Sequence, residues 1–88
     1  MNHTYMIECE DGSLYTGWTN NLEKRFAMHV AGKGAKYTRS HKPVRIVYDE
    51  ISDTPQQAQK REYQIKRLSH AQKLALIKQS DNHGQQSC

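Results

Sequence analysis

Thr4-Tyr-Met-Ile-Glu-Cys-Glu-Asp-Gly-Ser-Leu-Tyr-Thr-Gly-Trp18 decides the fold. Its two flanks, Thr4–Cys9 and Ser13–Trp18, are rich in β-formers and surround Asp11-Gly12, which reads as a hairpin. Turn length then fixes which side chains share a face. A two-residue Asp11-Gly12 turn pairs Glu10 with Ser13 and puts Tyr5 and Tyr15 on opposite faces. A three-residue loop, Glu10-Asp11-Gly12 with Gly12 left-handed, pairs Cys9 with Ser13 and Ile7 with Tyr15. Both tyrosines then share a face. If they act together, the three-residue loop is required.

Downstream, Asn20 or Asn21 caps a helix from about Leu22 to Ala31, closed by Gly32. Leu22, Phe26 and Val30 form its apolar stripe. Arg25 and His29, four apart, lie together along one margin of that stripe, at the lip of the core. Residues 32–43 read as a loop. Val44–Ile51 reads as a third strand, with Val44, Ile46 and Tyr48 alternating against Arg45, Val47 and Asp49. Thr54-Pro55-Gln56-Gln57 starts a second helix with a capping box and runs to about Leu68. Ser69-His70-Ala71-Gln72 opens a third, through Leu74 and Ile77 to about Gln79. The expected fold class is α+β, a small three-stranded antiparallel sheet flanked by helices, in one domain over 1–79. A polar, disordered tail is expected over 80–88.

The chain has 88 residues and a net charge of +4, with a pI near 9.2. One small core is all it can build, and the charge balance suits an anionic partner. Cys9 and Cys88 are the only cysteines. Cys9 sits in an apolar run, so both read as thiols in a reducing compartment. A charged-then-apolar leader and a long apolar run are both missing, so the cytoplasm is the expected location. His3, His29, His41, His70 and His83 are scattered and offer no zinc spacing.

Glu62 is the residue that least fits a structural role. It lies on the margin of a stripe marked by Ala58, Ile65 and Leu68, where an ionised carboxylate needs a cation. Lys66 at i+4, a metal ion and an arginine are the candidates, unless Glu62 points outward to solvent. Arg25 reads either as a surface arginine over Phe26 or as a bidentate phosphate clamp. His29 is either a satisfied half-buried histidine or a proton acceptor near neutral pH. Tyr5 and Tyr15 are strand aromatics unless cations lower a phenol pKa enough to make a base. The 32–43 loop holds no acidic residue. Lys33, Lys36, Arg39 and Lys42 interleave with Tyr37, a composition suited to backbone phosphates or to simple solvation.

These residues, in this order, resemble the GIY-YIG nuclease superfamily. Of the two signature triplets, His3-Thr4-Tyr5 matches at its tyrosine and Tyr15-Thr16-Gly17 at tyrosine and glycine. Tyr15 through His29 is the most specific stretch. Gly32-Lys-Gly-Ala-Lys-Tyr-Thr-Arg39 and Arg61-Glu-Tyr-Gln-Ile-Lys66 extend the likeness to residues 3 to about 78, and small stand-alone bacterial members are the nearest in kind. The resemblance implies metal-dependent hydrolysis of phosphodiesters. Tyr5 and Tyr15 would line the site, Arg25 would hold the phosphate, His29 would assist and Glu62 would bind one Mg²⁺ or Mn²⁺. DNA, branched or flapped, is the implied substrate, in repair or processing. Many members carry a separate DNA-binding domain that this stretch lacks, which suggests a protein partner. Trp18 stands where some repair members have lysine. The alternatives are a nucleic-acid-binding module that does not cut and a protein adaptor.

Overall fold

The computed structural model describes the backbone of residues 1–86 and the side chains of residues 1–80. The elements run β1 (Asn2–Cys9), β2 (Leu14–Thr19), α1 (Leu22–Val30), α2 (Lys36–Ser40), β3 (Pro43–Ser52), α3 (Pro55–Lys66) and α4 (His70–Gln86). The three strands form one antiparallel sheet in the order β2-β1-β3.

The hairpin takes the three-residue form. Cys9 N–H donates to Ser13 O at 2.9 Å and Gly12 N–H to Cys9 O at 2.9 Å. Gly12 has φ +83, a region where a Cβ is strained. Ile7 therefore faces Tyr15 and Tyr5 faces Gly17, so the two tyrosines share a face.

As the central strand, β1 is buried on both sides. Tyr5, Ile7 and Cys9 pack with Tyr15, Leu22, Phe26 and Ile46 on the α1 side. Met6 packs with Tyr48, Ile65, Val47, Leu76 and Ile77 on the other, beneath α3 and α4. A buried aliphatic side chain such as Ile7 contributes roughly 1.5–3 kcal/mol. Burial also raises the Cys9 thiol pKa, which keeps it protonated.

The alternation expected of β3 fails. Cys9 faces Pro43, Glu8 faces Arg45, Ile7 faces Ile46 and Met6 faces Tyr48. Val44 and Val47 are thus extra residues at two irregularities in the ladder, and each flips the side chains that follow. Ile46 and Tyr48 end on opposite faces, and Val44 is 50% exposed.

The helix caps match the expectation. Asn21 Oδ1 accepts from Lys24 N–H, Thr54 Oγ1 from Gln57 N–H, and Ser69 and Gln72 bond each other's backbone reciprocally. The stripe of α1 is rotated, however. Val30 is 60% exposed and His29 is 0% exposed, so the imidazole takes the core position assigned to Val30. The expected 32–43 loop contains the short helix α2. Helix α4 continues past the expected end at Gln79, and the polar tail expected over 80–88 lies almost wholly outside the residues whose side chains are described.

Candidate active site

Tyr5 and Tyr15 project from one face of the hairpin, their ring centroids 6.4 Å apart. Gly17, across the ladder from Tyr5, makes this possible. A Cβ there would lie 2.7 Å from the Tyr5 hydroxyl and 3.1 Å from the Tyr15 ring. The phenol passes over the glycine and reaches α1, where its hydroxyl lies 2.9 Å from His29 Nε2. The His29 ring meets Tyr5 edge-on at 5.9 Å and Tyr15 at 5.0 Å.

The other imidazole nitrogen, Nδ1, lies 2.8 Å from Thr38 Oγ1. Thr38 donates its one hydroxyl proton to Ala35 O at 3.2 Å. Nδ1 must therefore carry the proton and donate to Thr38, which leaves Nε2 to accept the Tyr5 O–H. Burial, and then the charge of Arg25, depress the His29 pKa below its ordinary value of 6.5. Burial pushes Tyr5 up to about 12, against the opposing pull of Arg25. At neutral pH the pair is a neutral phenol donating to a neutral imidazole. His29 and Tyr5 are both buried, 0% and 1% exposed.

Arg25 sits one turn before His29. Its Nη2 donates to Gly34 O at 3.0 Å. Its Nε is buried and has no hydrogen-bond partner among the described residues, which leaves the guanidinium incompletely satisfied. Gly34 packs directly against His29, where a Cβ would lie 2.4 Å from Nδ1. The segment after α1 is thus held close to the imidazole by Gly34 and Thr38 together.

Glu62 arrives from the other layer. Helix α3 packs along β2, one of the two edge strands, and carries Glu62 with its side chain 21% exposed. The carboxylate acts on Tyr5 as the last of the influences that raise its pKa. Lys66 Nζ lies 2.9 Å from Glu62 Oε2 and 6.0 Å from the Tyr15 ring centroid. Of the cations proposed to answer Glu62, Lys66 is the one in contact.

Among the described residues no three His, Cys, Asp or Glu side chains gather as a metal cluster. The donor set around Glu62 is a single hard carboxylate. That suits Mg²⁺ or Mn²⁺, which keep several waters and take further oxygens from a phosphate. It does not suit zinc.

The expected nucleic-acid contacts divide. Lys33, Lys36 and Arg39 line one recess of ≈ 200 Å³ with Gly32, Gly34 and Ala35. Tyr37 leaves that recess and stacks on Tyr15 at 5.9 Å and 29°. Lys42 stands apart, its ammonium 3.8 Å from Glu10 of the hairpin turn. The 32–43 segment therefore does have an acidic neighbour, supplied by a distant part of the chain. Thr38, Gly34 and Lys66 belong to the site although the sequence marked none of them as functional. Thr38 lies in a helix too short for periodicity to show, and the role of Gly34 depends on a contact across space.

The family model of the GIY-YIG catalytic domain matches residues 1–75. A UPF0213 protein of Clostridium perfringens is 57% identical over 77 residues, covering 88% of this chain and 83% of the relative. A UPF0213 protein of Halobacterium salinarum is 53% identical over 77 residues, covering 88% of this chain and all of the relative. The solution NMR structure of a UPF0213 protein from Bacillus halodurans aligns with a TM-score of 0.56 at 42% identity, over 89% of this chain and 84% of that one. An E. faecalis protein, also solved by NMR, aligns with a TM-score of 0.61 at 34% identity, over 91% and 85% of the two chains.

Proposed function

The chain belongs to the GIY-YIG nuclease superfamily, and on that premise we propose that it is a divalent-metal-dependent endonuclease that hydrolyses DNA. The observation that supports the reading is the packing of Tyr5, Tyr15 and His29, with Arg25 one turn before His29 and with Lys66 linking Glu62 to the Tyr15 ring. Glu62 would hold one Mg²⁺ or Mn²⁺ ion, which when bound supplies charge to the scissile phosphate and its departing oxygen. Arg25 binds the phosphoryl oxygens through its planar guanidinium.

Tyr15, having first released its own hydroxyl proton to solvent, takes a proton from the attacking water as a phenolate. Its ring, half-buried against His29 and below the Lys66 ammonium, is less enclosed than Tyr5. Tyr5 and His29 act behind it. The phenol orients the water, and the imidazole fixes the phenol by accepting its proton in a hydrogen bond. Lys33, Lys36 and Arg39 hold flanking phosphates in their recess. No described helix is long and apolar enough to cross a membrane, and we place the enzyme in the cytoplasm, in DNA repair or processing, where a protein partner supplies further contacts on branched or flapped DNA.

One observation favours a second reading, a nucleic-acid-binding module that does not cut: Lys66 already neutralises the one carboxylate of the site. The deciding experiment incubates the purified protein with single-strand, duplex, flap and junction DNA in Mg²⁺, Mn²⁺ or chelator, beside Glu62→Gln. Metal-dependent cleavage lost in the variant supports the nuclease. Salt-sensitive binding without cleavage under either metal selects the binding module.

A further inference from the structure

The aromatic side chains of the site do not stop at its edge. From buried His29 they continue to Tyr15, from Tyr15 to Tyr37, and from Tyr37 to His41. The last step is the tightest, with ring centroids 4.1 Å apart and planes within 14°. His41 cannot swing freely. Its Nδ1 lies 2.7 Å from Asp11 Oδ2 in the hairpin turn, and the other Asp11 oxygen accepts from the backbone and hydroxyl of Ser13. Tyr37 and His41, with Lys36 and Ser40, wall an open recess of ≈ 360 Å³. Tyr37 is 37% exposed.

We infer that this recess is a base-stacking subsite, which receives one unpaired nucleobase of a single-stranded segment next to the scissile phosphate. The ring surface that Tyr37 and His41 present at this recess suits a flat, apolar base better than an anion. The polar groups at the rim are the Lys36 ammonium and the Ser40 hydroxyl, a charge and a hydrogen-bonding group suited to the sugar-phosphate backbone. The neighbouring recess adds Lys33 and Arg39 on the same segment, so strand charge and base face are met side by side. The stack joins the site through Tyr15, which places the bound base beside the reacting group. A paired base is already stacked on both sides and cannot use this surface, so the subsite selects loops, flaps and frayed ends.

The subsite rests on the nucleic-acid reading above but not on cleavage, and it can be tested by binding alone. Fluorescence anisotropy in chelator would compare a labelled oligothymidylate with an oligomer of the same length made of abasic sites. The phosphates are identical, and only the bases differ. The wild-type protein binds the oligothymidylate more tightly by about 5- to 150-fold, the range for stacking one base on an aromatic ring. Tyr37→Leu and His41→Leu bring that ratio toward one, and Tyr37→Phe, which keeps the ring, restores it. Equal binding of both oligomers by wild type, binding of neither, or a ratio unchanged in Tyr37→Leu overturns the subsite. A protein that shows the Tyr37-dependent preference but never cuts supports the subsite and refutes the nuclease. One that cuts without any base preference does the reverse.

Discussion

Gly17 faces Tyr5 across the β1–β2 ladder, and its missing side chain is what lets the phenol reach the imidazole of His29. The space a methyl group would need is already filled by the phenol oxygen. Gly17→Ala should therefore cost about 1–3 kcal/mol of stability through overpacking, read as a lower urea midpoint. It should also break the Tyr5–His29 hydrogen bond. A variant as stable as wild type, with its tyrosines still titrating as before, would show that the ring has another path.

The buried imidazole makes stability depend on pH. In the folded protein His29 has a pKa below 6.5, whereas in the unfolded chain it titrates near ~6.5. As pH falls through that value the unfolded state takes up the proton first. The contribution of His29 is thus complete above pH ~6.5 and declines below it, toward the lower folded pKa. The urea midpoint should drop between pH 7.5 and pH 5 (about the window this linkage sets). In His29→Gln, which cannot titrate, the drop should be shallower. Equal slopes in the two proteins would mean that other groups carry the acid dependence.

Loss of the Tyr15 hydroxyl or of the Glu62 charge should remove metal-dependent cleavage without unfolding the chain. Tyr15→Phe is expected to lower the rate by about 10²- to 10⁴-fold, the range for losing a positioned acid–base group, and Glu62→Gln to remove the metal-dependent cleavage. Arg25→Lys keeps the charge but loses the planar fork and the Nη2 bond to Gly34, so it should lose at least ~10-fold. Full activity in Tyr15→Phe would move the role of base to the Tyr5–His29 pair.

On the proposed role of Glu62 as metal ligand, Lys66 would compete with the ion for the same carboxylate. Its pair with Glu62 is half-exposed on the lysine side, so solvent screens it and its worth is small. Lys66→Met should tighten Mn²⁺ binding by roughly 2- to 5-fold, followed by electron paramagnetic resonance of the free ion without any substrate. In a Glu62→Gln background the same change should do nothing. A tightening that persists there would point to a general charge effect rather than to this pair.

The hairpin and the helix starts at Thr54 and Ser69 were legible because each rests on local chemistry, whereas the turn length and the choice between Asn20 and Asn21 stayed open until the structure decided them. Asp11-Gly12, Asn21, Thr54 and Ser69 act within a few residues of themselves. The β3 faces were not legible. Val44 and Val47 look like any other β-branched residue, and only pairing with β1 shows that they are extra. His29 was read as lying at the lip of the core because a lone polar residue beside an apolar stripe looks exposed. Its burial depends on two partners, one far earlier and one nine residues later. Glu62 was read correctly as needing a cation, but spacing alone left three candidates open.

The bond from His29 to Thr38 gives the molecule a design constraint. The five-residue helix that displays Lys36 and Arg39 is tethered at its centre to the ring that steadies Tyr5. Grafting a different segment between Gly32 and Pro43, as one would to retarget the protein to another strand geometry, would shift turnover as well as affinity. Any such graft has to keep a hydroxyl at 38 and a bare Cα at 34.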